Sequence, residues 1–169
     1  MSMQILIMGL LKDEPRHPYE MKRVMKKQNW DRLFSITDGN LYHNIRKAEE
    51  RGNIRGSKKE QIEQRPSRTV YELTVQGEEV LAEMITEVFR QQRMDVSLVY
   101  PALLFVHYSN RELVEEAVRT WARNLEDIEE SSQQYEPPAS YIVKHFEERK
   151  KVDRRWLLEI ADWLDSVND

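Results

Sequence analysis

Residues 37–52 read TDGNLYHNIRKAEERG, and this stretch decides the fold. Its apolar residues recur at i, i+4 and i+7 (Leu41, Ile45 and Ala48), a spacing that places them on one face of a helix. Thr37 or Asp38 can cap the first turn, and Gly52 is typical of the position just after a helix. The spacing therefore predicts a helix that buries one stripe and exposes the other.

Two further helices are predicted before this stretch. Residues 5–11 are apolar nearly all round, which favours a short buried helix that ends before Pro15. A second helix begins at Pro18, because proline suits the first helical position. A turn through residues 29–31 joins it to the helix over 37–52. Three helices of this size, the last two joined by a short turn, form a helix-turn-helix.

A β-ribbon is predicted next. Residues 54–58 form its first strand, and residues 69–73 form its second, with Thr69, Tyr71 and Leu73 on one side. A ribbon placed directly after a helix-turn-helix is a wing. The polar loop of this wing contains Lys58, Lys59, Arg65 and Arg68, together with Glu60 and Glu63.

The rest of the chain is predicted to be helical. A long connecting helix runs from Thr74 to about Arg93, an apolar helix over 96–108 is kinked at Pro101, and two further helices follow. The predicted fold is therefore mainly α: an N-terminal winged helix-turn-helix with a two-stranded β-wing, plus an all-helical C-terminal dimerisation domain. The predicted domains are 1–93 for DNA binding and 94–169 for dimerisation and effector sensing.

The predicted dimerisation residues lie on the last two helices. On the first of them, apolar residues recur at alternating steps of four and three, which is a heptad seam. On the final helix a second apolar stripe is expected to face inward. The two sets are Val114, Val118, Trp121, Leu125 and Ile128, and Ile142, Phe146, Trp156 and Ile160. Trp121, Trp156 and Trp163 either line an aromatic effector pocket or belong to the core of the dimer or domain.

The charge is distributed unevenly along the chain. Residues 1–75 contain fifteen Lys/Arg and ten Asp/Glu, a net charge of +5, and residues 76–169 contain eleven and twenty, a net charge of −9. This asymmetry indicates that only the first part faces a polyanion. On charge alone, a chance excess on solvated surfaces is the alternative.

The outer face of the helix over 37–52 suits base recognition. Asparagine can pair with adenine N6 and N7, and lysine can reach guanine O6 or N7 in the major groove. The candidate DNA contacts are Asn40, Tyr42, His43, Asn44 and Lys47 on this helix, and Arg65, Ser67 and Arg68 in the wing. The wing residues suit phosphate or minor-groove contacts. The alternative is an ordinary solvated face and loop.

No enzymatic constellation is found in the sequence. Its four histidines do not form a metal-binding spacing, and phosphate-loop, dinucleotide and nucleophile-elbow motifs are missing. Without cysteine there is neither a disulfide nor a thiolate metal site. We therefore expect no catalytic residue, no metal, no cofactor and no membrane span, and a cytoplasmic location.

Several short motifs then identify a family. They are Leu10-Leu11 with Pro15-x-His17-x-Tyr19-Glu20, Gly39-x-Leu41-Tyr42, Arg51-Gly52-x-Ile54, and Arg65-Pro66-x-Arg68-x-x-Tyr71-x-Leu73-Thr74-x-x-Gly77. In this order and spacing, residues 5–81 resemble the PadR family of bacterial transcriptional regulators. From about residue 96 onward, the chain resembles the longer, three-helix form of that family in length and helix layout.

The resemblance implies a homodimer that binds palindromic, double-stranded promoter DNA, usually as a repressor released by a small molecule. It also implies that Tyr42, Arg65 and Arg68 contact DNA. Two residues depart from the family pattern: Pro18 stands where glycine is common, and His43 stands where proline is common. By analogy with the family's founding member, the effector is a small aromatic compound, and a constitutive repressor is the alternative. A winged-helix module that binds another protein and no DNA is the competing function.

Overall fold

The computed structural model describes residues 1–60, 68–126 and 135–166. Within these residues the chain forms seven α-helices and one two-stranded antiparallel sheet. Single 3-10 turns occur at Trp30–Arg32 and Val106–Tyr108. The elements are α1 (Ser2–Asp13), α2 (Pro18–Lys27), α3 (Asp38–Glu50), β1 (Ile54–Glu60), β2 (Arg68–Leu73), α4 (Val75–Arg90), α5 (Val96–Leu104), α6 (Arg111–Glu126) and α7 (Ala139–Ser166). The predicted fold class, a winged helix-turn-helix followed by a helical region, is confirmed.

The contacts divide the chain into two compact units. The winged-helix unit comprises Met1–Ile85 and Asp95–Ser109, and the helical unit comprises Thr86–Met94 and Asn110–Asp169. Helix α4 therefore contributes to both units, and α5 belongs to the first. The functional boundary placed between residues 93 and 94 stays a prediction.

Helix α1 is the centre of the winged-helix unit. Every residue from Met3 to Leu11 is buried, and the helix contacts α3, α5 and β2. A helix that is apolar all round has no side suited to water, so it must be covered on every side. Among the described residues no helix, α1 included, is long and apolar enough to cross a membrane.

Helix α2 begins with a capping box. The Nδ1 atom of His17 accepts a hydrogen bond from the backbone N–H of Tyr19 at 3.1 Å. The carboxylate of Glu20 in turn accepts from the backbone N–H of His17 at 3.0 Å. These bonds satisfy two donors that the helix itself leaves unpaired. Pro18 occupies the first helical position, as the sequence predicts.

The end of α3 and the start of α4 are joined by close polar contacts. Gly52 follows α3 with a φ of 73°, a conformation that costs glycine little. The hydroxyl of Thr74 donates to the carbonyl of Gly52 at 2.7 Å and accepts from the N–H of Gly77 at 3.0 Å. A Cβ atom on Gly77 would lie 2.0 Å from the carbonyl oxygen of Asn53. These contacts fix the base of the wing, because β1 begins at the next residue, Ile54.

The wing is longer than the sequence predicts. The ladder pairs Ile54 with Leu73 and continues beyond an irregularity between Gly56 and Lys58 to pair Glu60 with Arg68. The predicted loop position of Lys59, Glu60 and Arg68 is therefore wrong, because the backbone of all three lies in the strands. Lys58, the predicted end of the first strand, is also paired. The first strand is predicted to end where a charged stretch begins, but the backbone hydrogen bonds of a ladder do not depend on side-chain charge, so the pairing continues through Lys59 and Glu60.

Strand β2 has a second partner on its other edge. The backbone N–H of Arg16 donates to the carbonyl of Tyr71 at 2.9 Å, and the N–H of Tyr71 donates to the carbonyl of Arg16 at 3.0 Å. The Nε atom of Arg16 also donates to the carbonyl of Leu10 at 3.2 Å. The loop between α1 and α2 therefore holds the wing against the helical core.

Helix α5 packs on α1 through an aromatic cluster. A Cβ atom on Gly9 would lie 2.5 Å from the ring of Phe105, so only glycine permits this approach. The rings of Phe105 and Trp30 meet edge to face at 5.8 Å. The hydroxyl of Tyr108 donates to the carboxylate of Asp13. Burial and this hydrogen bond raise the pKa of Tyr108 to about 12.

The helical unit is built on the packing of α6 against α7. Buried residues of α7 lie in its C-terminal half, where Leu157, Ile160, Ala161 and Leu164 face inward. The expectation that Ile142 and Phe146 also face inward is wrong for the single chain: they are 68% and 56% exposed. Helical periodicity places these residues on one face but does not show what that face meets.

Candidate nucleic-acid interface

The outer surface of α3 presents the polar side chains that the sequence predicts. Asn40, His43 and Lys47 are exposed and Asn44 is half-buried, whereas Leu41, Ile45 and Ala48 on the opposite side are buried. The buried stripe anchors α3 on α1, which the contacts between the two helices confirm. The packing therefore leaves the polar face available to a partner.

A hydrogen-bonded pair of asparagines fixes part of this face. The side-chain N–H groups of Asn44 donate to the backbone carbonyl of Asn40 at 2.8 Å and to its Oδ1 at 2.7 Å. The side chain of Asn40 donates to the carbonyl of Ser35 at 3.3 Å. In addition, the hydroxyl of Thr37 caps the helix by accepting from the N–H of Asn40 at 3.2 Å. The first turns of α3 are therefore held in place before any ligand binds.

Arg46 is an exposed cation on α3 that the sequence reasoning missed. It follows Tyr42 by four residues and His43 by three, so it lies one turn further along the same exposed arc. Its spacing from these two predicted contacts was the available signal. The predicted contacts Asn40, Asn44 and Lys47 form the neighbouring row of the helix.

The electrostatic environment of α3 is positive on one flank. The amino group of Met1 has a lowered pKa, first because it is partly buried and then because Lys47 and Arg51 lie close to it. At the start of the helix, the carboxylate of Asp38 is paired with the ammonium group of Lys22 at 2.5 Å. This ion pair offsets an acidic charge that would otherwise oppose the approach of a polyanion.

Tyr42 lies on the other flank of α3. Its side chain is 47% exposed and borders a cleft between α2 and α3. Towards the wing, Tyr71 has a raised pKa because of burial and then because of its neighbours Glu49 and Tyr42. Tyr42 therefore stands where α2, α3 and the base of the wing approach one another.

Two of the predicted wing contacts, Arg65 and Ser67, lie outside the described residues. Arg68 is the first residue of β2, paired through its backbone with Glu60. The structure thus brings the five predicted residues of α3 onto one helix and places the wing strands directly after it. Their role as DNA contacts stays a prediction.

The predicted dimerisation residues divide into two groups. Val114, Val118, Trp121 and Ile160 are buried within the single chain, and Leu125 and Trp156 are half-buried. Ile142 and Phe146 are exposed, and Ile128 lies outside the described residues. Among the predicted dimerisation residues that the structure describes, Ile142 and Phe146 are the ones classed as exposed in the single chain.

A comparison with protein families matches the part of the chain that contains the candidate nucleic-acid interface. The model of the transcriptional regulator PadR-like family matches residues 7–83, somewhat less than half of the chain. The comparison with curated proteins gives no match. The matched segment contains α2, α3, both wing strands and the start of α4, so the candidate interface lies entirely within it.

Three solved structures are similar to the chain at low identity. Bacillus subtilis PadR in complex with operator DNA is 18% identical and has a TM-score of 0.48, with 97% of this chain and 99% of that chain covered. The protein smu.1604c from Streptococcus mutans UA159 is 20% identical with a TM-score of 0.45, covering 92% and 96%. Bacillus subtilis PadR in complex with p-coumaric acid is 17% identical with a TM-score of 0.44, covering 98% and 99%.

Proposed function

We propose that the chain is a member of the PadR-like family of transcriptional regulators, whose model matches residues 7–83, and that it is a sequence-specific repressor that binds palindromic promoter DNA as a homodimer. The observation that carries the proposal is the outer face of α3, where Asn40, His43 and Lys47 are exposed side by side. The helix is anchored from behind by its buried stripe, so this face can enter a groove without any change in the fold.

The chemistry of this face suits the major groove. An α-helix fits the width of that groove, and lysine, asparagine and histidine can all donate hydrogen bonds to base edges. In a helix-turn-helix it is the second of the two helices that enters the groove. Here that helix is α3, and we expect the wing, whose strands follow it directly in the chain, to contact phosphate groups.

Variants at Lys47 and Arg68 test base recognition and phosphate binding separately. We expect Lys47→Ala to relax the sequence preference at one base position by about 1–3 kcal/mol, because a base contact is lost. Arg68→Ala should weaken binding to all sequences by a similar factor, because a phosphate contact carries no sequence information. The measurement is selection of bound duplexes followed by gel-shift titration of each variant. Unchanged operator binding by both variants would show that the reading face is misassigned.

Asn44→Ala is a second test of the same face. Because the side chain of Asn44 is bonded to Asn40, its removal either loses a direct base contact or releases Asn40. Both changes should alter the selected sequence at one position, by about 1–3 kcal/mol. A selected sequence identical to that of the wild type would remove Asn44 from the reading face.

The homodimer part of the proposal is supported by the exposed apolar residues of α7. Ile142 and Phe146 are both more than half exposed in the single chain, and apolar side chains of this kind are typical of the buried centre of an interface. Two copies would place their α3 helices in successive major-groove half-sites, one or two turns of about 34 Å apart. The spacing of the selected half-sites measures this directly.

A protein-docking module is distinguished by its response to salt. Binding to DNA should weaken steeply as the salt concentration rises, because bound phosphates release counterions. A winged helix that docks another protein would show no affinity for duplex DNA at low salt. A titration of labelled duplex at several salt concentrations therefore decides between the two functions.

Release by a small aromatic effector is the part of the proposal that rests on the family resemblance alone. Three of the four tryptophans, Trp121, Trp156 and Trp163, belong to the helical unit, so tryptophan fluorescence reports mainly on that unit. We expect an effector to change this fluorescence and to release DNA over the same concentration range. A panel of aromatic acids that changes neither signal favours a constitutive repressor.

A further inference from the structure

A cleft of about 440 Å³ separates α2 from the start of α3. Its floor is apolar, since Leu41 is almost fully buried and Pro18 lines the cleft beside it. Its rim carries cations and hydroxyl groups, contributed mainly by α2. The lining residues are Pro18, Tyr19, Lys22, Arg23, Lys26, Asp38, Leu41 and Tyr42.

The cations on the rim form one row on α2. Lys26 lies four residues after Lys22 and three after Arg23, so it neighbours both on the helix surface, and all three side chains line the cleft. Arg23 and Lys26 are exposed, and neither is paired with a carboxylate among the described residues. Tyr19, one turn before Arg23, is 64% exposed. The rim thus combines a guanidinium, an ammonium and a phenol, all of which donate hydrogen bonds to anions.

Asp38 is the acidic group in the cleft, and it is already neutralised. Its carboxylate lies 2.5 Å from the ammonium group of Lys22. The pair contributes no net charge to the cleft, which leaves Arg23 and Lys26 as an excess of two positive charges. An anion entering the cleft is therefore attracted rather than repelled.

We propose that this cleft binds a phosphate group of the DNA backbone, with Arg23 and Lys26 as its charged ligands and Tyr19 as a hydroxyl donor. The proposal rests on the proposed function, because when the second helix of a helix-turn-helix enters the major groove the first crosses the backbone. Tyr42 lines the cleft and also belongs to the predicted contacts of α3. The cleft therefore extends the interface from α3 onto α2 and fixes the register in which α3 meets the bases.

The first experiment is a salt titration with charge-matched variants on α2. A labelled duplex of random sequence serves as the probe, since phosphate contacts do not depend on sequence. We expect Lys26→Ala and Arg23→Ala each to weaken binding at low salt roughly tenfold, the order expected for a lost hydrogen bond to a charged group. The slope of the logarithm of the affinity against that of the salt concentration should become shallower by about one per subunit.

Lys27→Ala is the control for the change in net charge. Lys27 is exposed on the same helix but does not line the cleft. We expect it to change the affinity and the slope clearly less than Lys26→Ala does. Equal effects of Lys26→Ala and Lys27→Ala would overturn the proposal, because binding would then follow the charge of α2 and not the cleft.

Asp38→Asn tests the neutralising ion pair with the opposite sign. The substitution frees the ammonium group of Lys22 for phosphate, so we expect tighter binding and a steeper salt slope. Asp31→Asn makes the same change in charge on the exposed 3-10 turn, away from the cleft, and should have a smaller effect. If the two variants behave alike, Lys22 has no phosphate within reach and the cleft is misassigned.

The last experiment uses a duplex in which single phosphates are replaced by an uncharged group. In the selected operator, single phosphates are replaced one at a time by neutral methylphosphonate. At one position per half-site, we expect the replacement to lower the affinity of the wild type. The same replacement should not lower the affinity of the Arg23→Ala, Lys26→Ala double variant any further. Wild-type protein that binds no duplex at low salt would overturn the proposed function itself. Wild-type binding with no such position would overturn the cleft alone.

Discussion

The outer face of α3 in the winged-helix unit and the N-terminal half of α7 in the helical unit expose different kinds of side chain. In the first, α1 and the inner stripe of α3 are buried, and the exposed face of α3 carries polar and basic side chains. In the second, the C-terminal half of α7 is buried, and the N-terminal half exposes Ile142 and Phe146. Under the proposed function, the polar and basic face of α3 meets DNA and the exposed apolar residues of α7 meet a second copy.

The two units also differ in what holds them together. The winged-helix unit depends on close backbone contacts, such as the approach of Gly77 to Asn53 and of Gly9 to Phe105. The helical unit is held by the packing of α6 against α7, and Arg119 of α6 also bonds Glu115 at 2.7 Å and Asp162 of α7 at 3.2 Å. The comparison indicates that small steric changes matter most in the first unit and changes of surface polarity matter most in the second.

Gly77→Ala should give the largest effect. The added methyl group would lie 2.0 Å from the carbonyl oxygen of Asn53, so the start of α4 must move, at a cost of about 3 kcal/mol in the free energy of unfolding. Gly39→Ala adds the same methyl group where no atom lies within 4 Å, and should be neutral or slightly stabilising. Urea unfolding of both variants checks the pair. Equal stability would show that the close contact at Gly77 does not hold the winged-helix unit.

The sequence could predict the parts of the winged-helix unit whose signals are local in the chain. Caps, proline positions and apolar spacing predicted α1, α2 and α3 and the site of Gly52, because those signals are local in the chain. The sequence did not reveal the approach of Gly9 to Phe105 or the pairing of Arg16 with Tyr71. Each of these joins residues far apart in sequence, and neither leaves a periodic trace.

The candidate site shows the same limit. The exposed face of α3 could be predicted because one helical period sorts Leu41 and Ile45 from Asn40 and Lys47. The cleft could not be predicted, because the cations of α2 look like any solvated face until Asp38 and Tyr42 are placed opposite them. Chemistry that needs two elements becomes visible only when their packing is known.

Phe146→Glu tests the apolar face of the helical unit. Phe146 is exposed in the single chain, so the substitution should leave the fold intact and weaken self-association about tenfold or more, as expected when an aromatic residue at the centre of an interface is lost. Sedimentation velocity at several concentrations measures the change. Val75→Glu makes the same kind of substitution on α4, where Val75 is 77% exposed. A variant at Phe146 that associates as strongly as the one at Val75 would remove this face from the interface.

Tyr108→Phe should give the smallest change in the free energy of unfolding. The variant isolates one polar contact of the winged-helix unit, the hydrogen bond between Tyr108 and Asp13. Burial, and then the hydrogen bond to Asp13, raises the pKa of Tyr108 from 10.0 to about 12. Since the folded chain holds this proton more tightly than the unfolded chain, the stability that it contributes is present below pH 10 and is lost as the pH rises through about 12. The free energy of unfolding of the wild type should therefore fall towards that of Tyr108→Phe over this range. Tyr141→Phe, at an exposed position on α7, controls for the loss of a phenol. A wild-type advantage that stayed constant with pH would show that the bond to Asp13 does not tie the 3-10 turn after α5 to α1.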